Sequence, residues 1–236
     1  MKSTILLLCA VLMALFPPLL AAFCFLPQPR LVCGEYFASQ LVVEATLIHT
    51  KVIRDGDDPL GIIARVYTLR VETVFKGKRE EQIRVYEGND SGRAPFLWVN
   101  QGRYLLFLFY SPQAGKWVLD GCGNSAPLRK AEKAVQEIRA VQTAHDGGTI
   151  YGIVSRKSPS DPVAGVKVSA RGDKGTFEAK TDKKGAFQIE IPEGVYSVDA
   201  TLPGLAFEKY DISYDDPARI RIEPGECAQI QYMLKE

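Results

Sequence analysis

The chain has two histidines, His49 and His145, and any metal or general-base chemistry would have to start from them. Neither has a glutamate or a second histidine at zinc-ligand spacing, and no His-x-x-Glu pair occurs. Gly123-Asn124-Ser125 is the nearest approach to a nucleophile elbow. It lacks the flanking glycine and a strand-to-helix setting with a histidine partner. No glycine-rich phosphate loop is present. Asp55, Asp57 and Asp58 lie in Asp-Gly-Asp-Asp-Pro-Leu-Gly, but the spacing and closing glutamate of a calcium loop are missing. The turn formers there read as a solvated hairpin tip. Arg171-Gly172-Asp173 spells an adhesion tripeptide at a place where Gly-Asp is ordinary turn chemistry. Asn89-Asp90-Ser91 fits a glycosylation acceptor. The expectation is a protein with no catalytic residue, no metal site and no cofactor.

Cysteine is the other reactive type. Cys9 falls in an apolar leader, leaving Cys24, Cys33, Cys122 and Cys227. In an oxidising compartment these read as disulfide candidates rather than ligands or nucleophiles. Four cysteines allow three pairings. The favoured one closes Cys122 onto the N-terminal segment, at Cys24 ahead of Cys33. A loop of that length stabilises by roughly 4–5 kcal/mol in the chain-entropy picture. Cys227 sits out of phase with Ile230, Tyr232 and Leu234, so it faces away from its own core. It is either free or a tie between domains.

The leader is residues 1–22: Met1-Lys2-Ser3, an apolar run from Ile5 to Phe16, then Pro17-Pro18-Leu19-Leu20-Ala21-Ala22. That is the pattern of an export signal with cleavage after Ala21 or Ala22. The apolar run continues to Leu26, so contact with a membrane is expected only if the leader stays on or is lipidated. The expected location is secreted, periplasmic or cell envelope. A net charge of +1 over 236 residues leaves no electrostatic footprint for nucleic acid.

The elements that would position these residues are mostly strands. In residues 23–126, Leu41, Val43, Ala45 and Leu47 alternate, as do Tyr67, Leu69 and Val71, with Ile83 and Val85 after them. Tyr104 to Tyr110 is apolar without a break, as for a strand buried on both faces. A small barrel accommodates this most simply. Phe96, Trp98, Tyr104, Phe107, Phe109 and Trp117 read as its packing rather than as a base-stacking surface. Residues 127–147 change period: Ala131, Val135, Ile138 and Val141 share a helical face. Ser125 is placed to cap that helix and Pro127 to open it, with Gly147-Gly148 as a hinge. Residues 148–236 return to period two, with Val166 and Val168, then Phe187, Ile189 and Ile191, then Tyr196, Val198 and Ala200. Turn formers separate these runs, as in an antiparallel sandwich. The fold class is therefore mainly β: an OB-like barrel, a linking helix, and a transthyretin-like antiparallel β-sandwich.

Two resemblances sharpen this reading. Gly152-Ile153-Val154, Pro162-Val163-Ala164-Gly165-Val166, Thr181-Asp182-Lys183-Lys184-Gly185-Ala186-Phe187 and Gly194-Val195-Tyr196 resemble the carboxypeptidase regulatory-like domain. The resemblance implies an accessory module without catalytic residues of its own. In Thr181 to Phe187, Asp182 is expected to cap the turn with its side chain, Gly185 to take positive φ, and Phe187 to return a ring to the core. Further upstream, Cys24 and Cys33 flank Pro27-Gln28-Pro29, followed by Ser39 to Ala45, Val74-Phe75-Lys76-Gly77, Gly102 to Phe107 and Trp117 to Cys122. These resemble the inhibitor domain of tissue inhibitors of metalloproteinases and its bacterial relatives. In that family a Cys-x-Cys start lays the terminal cysteine on the protease zinc. Here Leu26 or Ala22 stands where the second cysteine would be.

The functional expectation is an exported, non-catalytic protein that recognises another protein. The candidate contacts are Cys24, Phe25, Leu26 and Pro27 with the tip residues Asp55, Asp57 and Asp58. The competing expectation is inhibition of a secreted metalloprotease through the Cys24 segment.

Overall fold

The structure, a computed structural model, describes residues 30–56, 61–89, 96–113, 115–158, 160–211 and 219–235. The leader reading and the expected contacts Cys24, Phe25, Leu26, Pro27, Asp57 and Asp58 lie outside the described residues.

A short helix, α1 (Val32–Ala38), precedes the barrel. Strands β1 (Leu41–Arg54), β2 (Ile62–Lys76), β3 (Gln82–Gly88), β4 (Arg103–Ser111) and β5 (Lys116–Leu119) follow. They hydrogen-bond in the order β1-β2-β3-β5-β4, and β4 pairs again with β1, so the sheet closes on itself. All contacts are antiparallel except β3–β5, where Val85 faces Trp117. That is the ring of an OB-type barrel. Closure needs strong bending, and the β1–β2 register supplies it with irregularities at Val42/Val43, Glu44/Ala45, Leu47/His49 and Ile53/Arg54.

β4 shows why an unbroken apolar run was needed. Tyr104, Leu106 and Leu108 fill the barrel with Val43, Leu47, Leu69 and Ile83. The alternate residues Leu105 and Phe107 point outward into a second core with Val42, Val32, Val135 and Ile138. That outer core seats helix α2 (Glu132–Thr143) on the barrel. The helix starts differently from the expectation. Ser125 does not cap it: the Ser125 hydroxyl instead accepts from the Phe107 backbone N–H at 2.9 Å. Pro127 belongs to a two-residue strand, β6 (Ala126–Pro127), which pairs with Tyr104 and Leu105. A 3-10 turn over Leu128–Lys130 then leads into α2 with Ala131 as an uncapped first residue. Backbone demand from the barrel edge captured both residues that local chemistry assigned to the helix.

The second body holds β7 (Gly148–Ser155), β8 (Lys167–Gly172), β9 (Gly175–Lys180), β10 (Ala186–Ile191), β11 (Gly194–Thr201), β12 (Phe207–Asp211), β13 (Ile220–Ile222) and β14 (Cys227–Leu234). They form two sheets, β10-β7-β14-β12 and β13-β11-β8-β9. Ile150, Val154, Val166, Val168, Tyr196 and Ile230 are buried between the sheets. One pair departs from the antiparallel pattern: β7 and β14 run parallel, Cys227 opposite Thr149 and Met233 opposite Ser155. The turn before β10 forms as its sequence dictates. Asp182 Oδ1 accepts from the N–H groups of Lys184 (2.8 Å) and Ala186 (2.9 Å), and Gly185 sits at φ +70°. Phe187 is 6% exposed in the core.

Candidate functional site

Two places concentrate polar groups and exposure, and they lie at opposite ends of β1.

At the start of β1, helix α1 carries Glu35, whose side chain is buried. Its Oε2 accepts from the Asn124 backbone N–H (2.5 Å) and from Asn124 Nδ2 (2.8 Å), while Oε1 has no partner. Burial pushes the Glu35 pKa up, against the pull of the two Asn124 hydrogen bonds and the nearby Arg30 charge. Arg30 is itself buried and pairs with Asp120 Oδ2 at 2.9 Å, and Asn124 Nδ2 also donates to the Arg30 carbonyl at 3.0 Å. Only glycine fits at 123, because a β-carbon there collides with Glu35 Oε1. Lys76 donates to the Tyr36 (2.9 Å) and Phe37 (2.6 Å) carbonyls and so caps the C-terminal end of α1.

The sandwich is fastened to the same spot. Cys33 of α1 and Cys227 of β14 form a disulfide across 194 residues. Gln229 Oε1 accepts from the Leu31 backbone N–H at 2.9 Å. Cys227 is the tie between the two bodies, and it leaves Cys33 unable to close onto Cys122. Cys122 is disulfide-bonded as well. The expectation that Cys24 is its partner concerns a residue outside the described residues. The Gly147-Gly148 joint is packed. Gly225 N–H donates to the Gly147 carbonyl at 2.7 Å, and a β-carbon on Gly148 would strike the Glu226 carbonyl.

At the other end, β1 and β2 run past the barrel as a two-stranded arm. β1 pairs with β4 only from Leu41 to Thr46. From His49 to Arg54 it pairs with β2 alone among the described residues. The arm ends where Asp55 N–H donates to the Gly61 carbonyl at 3.0 Å, and Asp55 is exposed, as a hairpin tip should be. Val52 lies directly across from Arg65, so these two side chains and Ile63 share a face. Ile48 (40%), Val52 (39%) and Ile63 (47%) are exposed there. Arg65 makes no ion pair or side-chain hydrogen bond with the described residues, nor does Lys51 on the edge strand. A cavity of about 460 Å³ opens at the root of this face, lined by Ile48, Thr50, Arg65, Tyr67, Trp98 and Asn100 among others.

The floor of that cavity is pinned. Tyr67 donates to Glu87 Oε2 at 2.7 Å, and the Phe96 N–H donates to Glu87 Oε1 at 3.1 Å. Trp98 stacks on Tyr67 with ring centroids 4.3 Å apart. Burial and the Glu87 carboxylate push the Tyr67 pKa far up, so its phenol stays protonated and donating. The segment so held presents Leu97 (78% exposed) and Val99 (63% exposed) to solvent beside the arm.

Of the expected site residues, Cys33, Cys122 and Cys227 are disulfide-bonded and Asp55 is at the arm tip. The buried Arg30–Glu35–Asn124 network and the Arg65 face carried no local sequence signal. His49 and His145 are exposed and far apart in sequence, and among the described residues no cluster of three His, Cys, Asp or Glu is placed to hold a metal ion. Arg171 of the adhesion-like tripeptide reaches Asp199 on the neighbouring strand at 3.4 Å. Among the described residues no helix is long and apolar enough to cross a membrane.

The strand order, the capped turn before β10 and the packed sandwich core decide the second body. Residues 149–225 match the carboxypeptidase regulatory-like domain. The matched residues run from β7 through β13 and stop short of β14. Bacillopeptidase F of Bacillus subtilis is 26% identical over 128 residues, which is 52% of this chain and 9% of that protein. The chain therefore spans less than a tenth of that relative. Among solved structures, the Bacillus anthracis TIE protein is similar over 81% of this chain and 31% of its own, at 11% identity and a TM-score of 0.29. A form of BcpA, the major pilin subunit of Bacillus cereus, is similar over 86% of this chain and 62% of its own, at 14% identity and a TM-score of 0.30.

Proposed function

We propose that this is an exported, non-catalytic recognition protein of the cell envelope or extracellular space, and that the arm of β1 and β2 is its contact surface for another protein. The observation that supports this most is the contrast along β1: its first half is sealed in the barrel, and its second half leaves apolar side chains in solvent beside Arg65, which makes no ion pair with the described residues. The disulfides and the accessory sandwich support an oxidising location. A photo-crosslinking residue placed at Asp55, with one at exposed Lys183 as control, tests it. The Asp55 probe is expected to capture one identifiable envelope or secreted protein that then binds the purified chain. Capture only from position 183, or from neither, removes the reading.

A second reading is inhibition of a secreted metalloprotease through the Cys24 segment. It is favoured by the OB-type strand order together with an oxidised Cys122, both of which suit the inhibitor-domain resemblance. Sequencing the mature N-terminus and titrating purified chain against zinc proteases tests it. A terminal Cys24 with stoichiometric loss of protease activity supports inhibition, and an upstream residue with undiminished activity ends it.

A further inference from the structure

We infer that the Cys33–Cys227 bridge is a thiol–disulfide exchange site in the folded protein, attacked at Cys33, and that its acidic surroundings select a dithiol protein with basic residues around the attacking cysteine. The site lies at the junction of the two bodies, away from the arm, and stands apart from the recognition reading. Access is the first ground for it. Both cysteines line a cavity of about 970 Å³ bounded by the end of α2, the Gly147-Gly148 joint and the turn after β10. Cys33 is half-buried and Cys227 is 4% exposed, so an incoming sulfur meets Cys33 first. The next residue is Gly34, where a β-carbon would stand 3.8 Å from Cys227 Sγ. The position beside the bridge thus puts no side chain over it.

The second ground is charge. Glu137 and Asp146 line the cavity from α2 and the segment after it, Glu190 and Glu193 from β10 and the turn that follows, and Glu226 from beside Cys227. Lys174 and His145 are the basic residues of the lining. From outside it, Lys133 pairs with Glu137 at 3.7 Å, and Lys76 lies within electrostatic reach of Glu226. Carboxylates still outnumber the bases. Asp146 and Glu193 are exposed and make no ion pair or side-chain hydrogen bond with the described residues. The attacking species in exchange is a thiolate. The field of the cavity therefore opposes an anionic reductant and favours one that carries positive charge beside its sulfur. The chemistry balances with a dithiol. Its thiolate bonds to Cys33 Sγ, and the electron pair of the old bridge leaves on Cys227 Sγ, which takes a proton. The second thiol then attacks the mixed disulfide and releases Cys33. The dithiol ends as a disulfide, and the bridge has gained two electrons and two protons. The product keeps each body's own core and loses the covalent tie between them, with contacts such as Leu31 N–H to Gln229 Oε1 left at the junction.

Three small thiols of graded charge test this on the full oxidised chain under native conditions: cysteamine, mercaptoethanol and mercaptoethanesulfonate, whose thiolate forms are neutral, singly and doubly negative. Each rate is divided by that of the same thiolate on hydroxyethyl disulfide, which removes intrinsic reactivity. Acid quenching at low conversion and peptide mapping locate the adduct. Exchange is expected to be first order in thiolate, with the adduct on Cys33. The corrected rates should fall by at least tenfold from cysteamine to mercaptoethanesulfonate at low salt, and should converge at high salt, where screening shortens the reach of the carboxylates. Joint Asp146→Asn and Glu193→Gln replacement should narrow the spread to about threefold, with the circular dichroism spectrum unchanged. A rate independent of thiol concentration overturns the site, because the bridge then opens only by unfolding. Reaction confined to Cys122, or an adduct on Cys227, overturns it as well. Equal corrected rates for the three thiols overturn the selection for a basic partner.

Discussion

At the start of β1, charged groups are buried and matched, and a disulfide holds the neighbouring body in place. At its far end, a cation and three large aliphatic side chains are left in water. The same strand serves both ends. In the first half, β1 is flanked by β2 and β4 and its side chains enter two cores at once. In the second half, only one flank is paired. The contrast separates two uses of polar chemistry: at the junction Arg30, Glu35 and Asn124 fix a geometry, while on the arm Arg65 and Lys51 make no ion pair with the described residues. Perturbing the junction should therefore change stability, and perturbing the arm should change binding with little effect on stability.

The largest effect is expected from joint Cys33→Ser and Cys227→Ser replacement. Removing a closure across 194 residues should cost on the order of 3–5 kcal/mol, read as a lower denaturant midpoint, with the sandwich released from α1 by small-angle scattering. An unchanged midpoint would mean that the junction is held by its polar contacts alone. Asn124→Ala comes next. It removes the Nδ2 donor shared by Glu35 Oε2 and the Arg30 carbonyl and keeps the backbone N–H donor, and should cost about 1–2 kcal/mol at neutral pH, because a buried carboxylate loses one of its two hydrogen bonds.

A smaller, pH-dependent effect comes from Glu35 itself. Its raised pKa means that the folded chain holds this proton more tightly than the unfolded chain does. Its favourable contribution is present below the ordinary carboxylate range and is lost as pH rises through the raised folded value. Stability should thus increase when pH is lowered from 7 toward 5, and Glu35→Gln should flatten that slope in urea titrations. A slope unchanged in the variant assigns it to other groups. The smallest stability effect belongs to the arm. Val52→Thr and Ile63→Ser should each shift stability by no more than about 0.5 kcal/mol, yet weaken the captured partner at least tenfold. A large loss of stability would show that the arm is part of the core after all.

Much of the fold was legible in the sequence because local rules and tertiary demands agreed. β4 reads as doubly buried from Tyr104 to Tyr110; it is buried from Tyr104 to Leu108, with Phe109 half-buried and Tyr110 exposed where the strand leaves the core. Asp182, Gly185 and Phe187 form their turn from chemistry contained within a few residues. Legibility failed where a distant partner outbid a local one. Ser125 and Pro127 look like a helix start, but Phe107 and Tyr104 needed backbone partners and took them. Helix α1 is too short to show a period, and only Val32 and Glu35 on it are buried, so it left no pattern ahead of the alternation that begins at Leu41. The Cys33–Cys227 bond depends on how two bodies dock, which no window of sequence encodes. Candidate-site legibility was lower still. The acidic tip at Asp55 was visible as turn chemistry, but Arg65 becomes notable only when the register sets it between Val52 and Glu87, whose carboxylate accepts from Tyr67 and the Phe96 N–H.

The bond between Cys33 and Cys227 also decides how the molecule bears load. Everything from Gly34 to Glu226 lies inside the covalent loop that it closes. Tension applied between Arg30 and Lys235 travels along a few residues, through the sulfur bridge, and out along β14. The barrel lies outside that path, and of the sandwich only β14 lies in it. While the bridge is oxidised, the ends can be pulled hard with little gain in length; once it is reduced, both bodies become extensible.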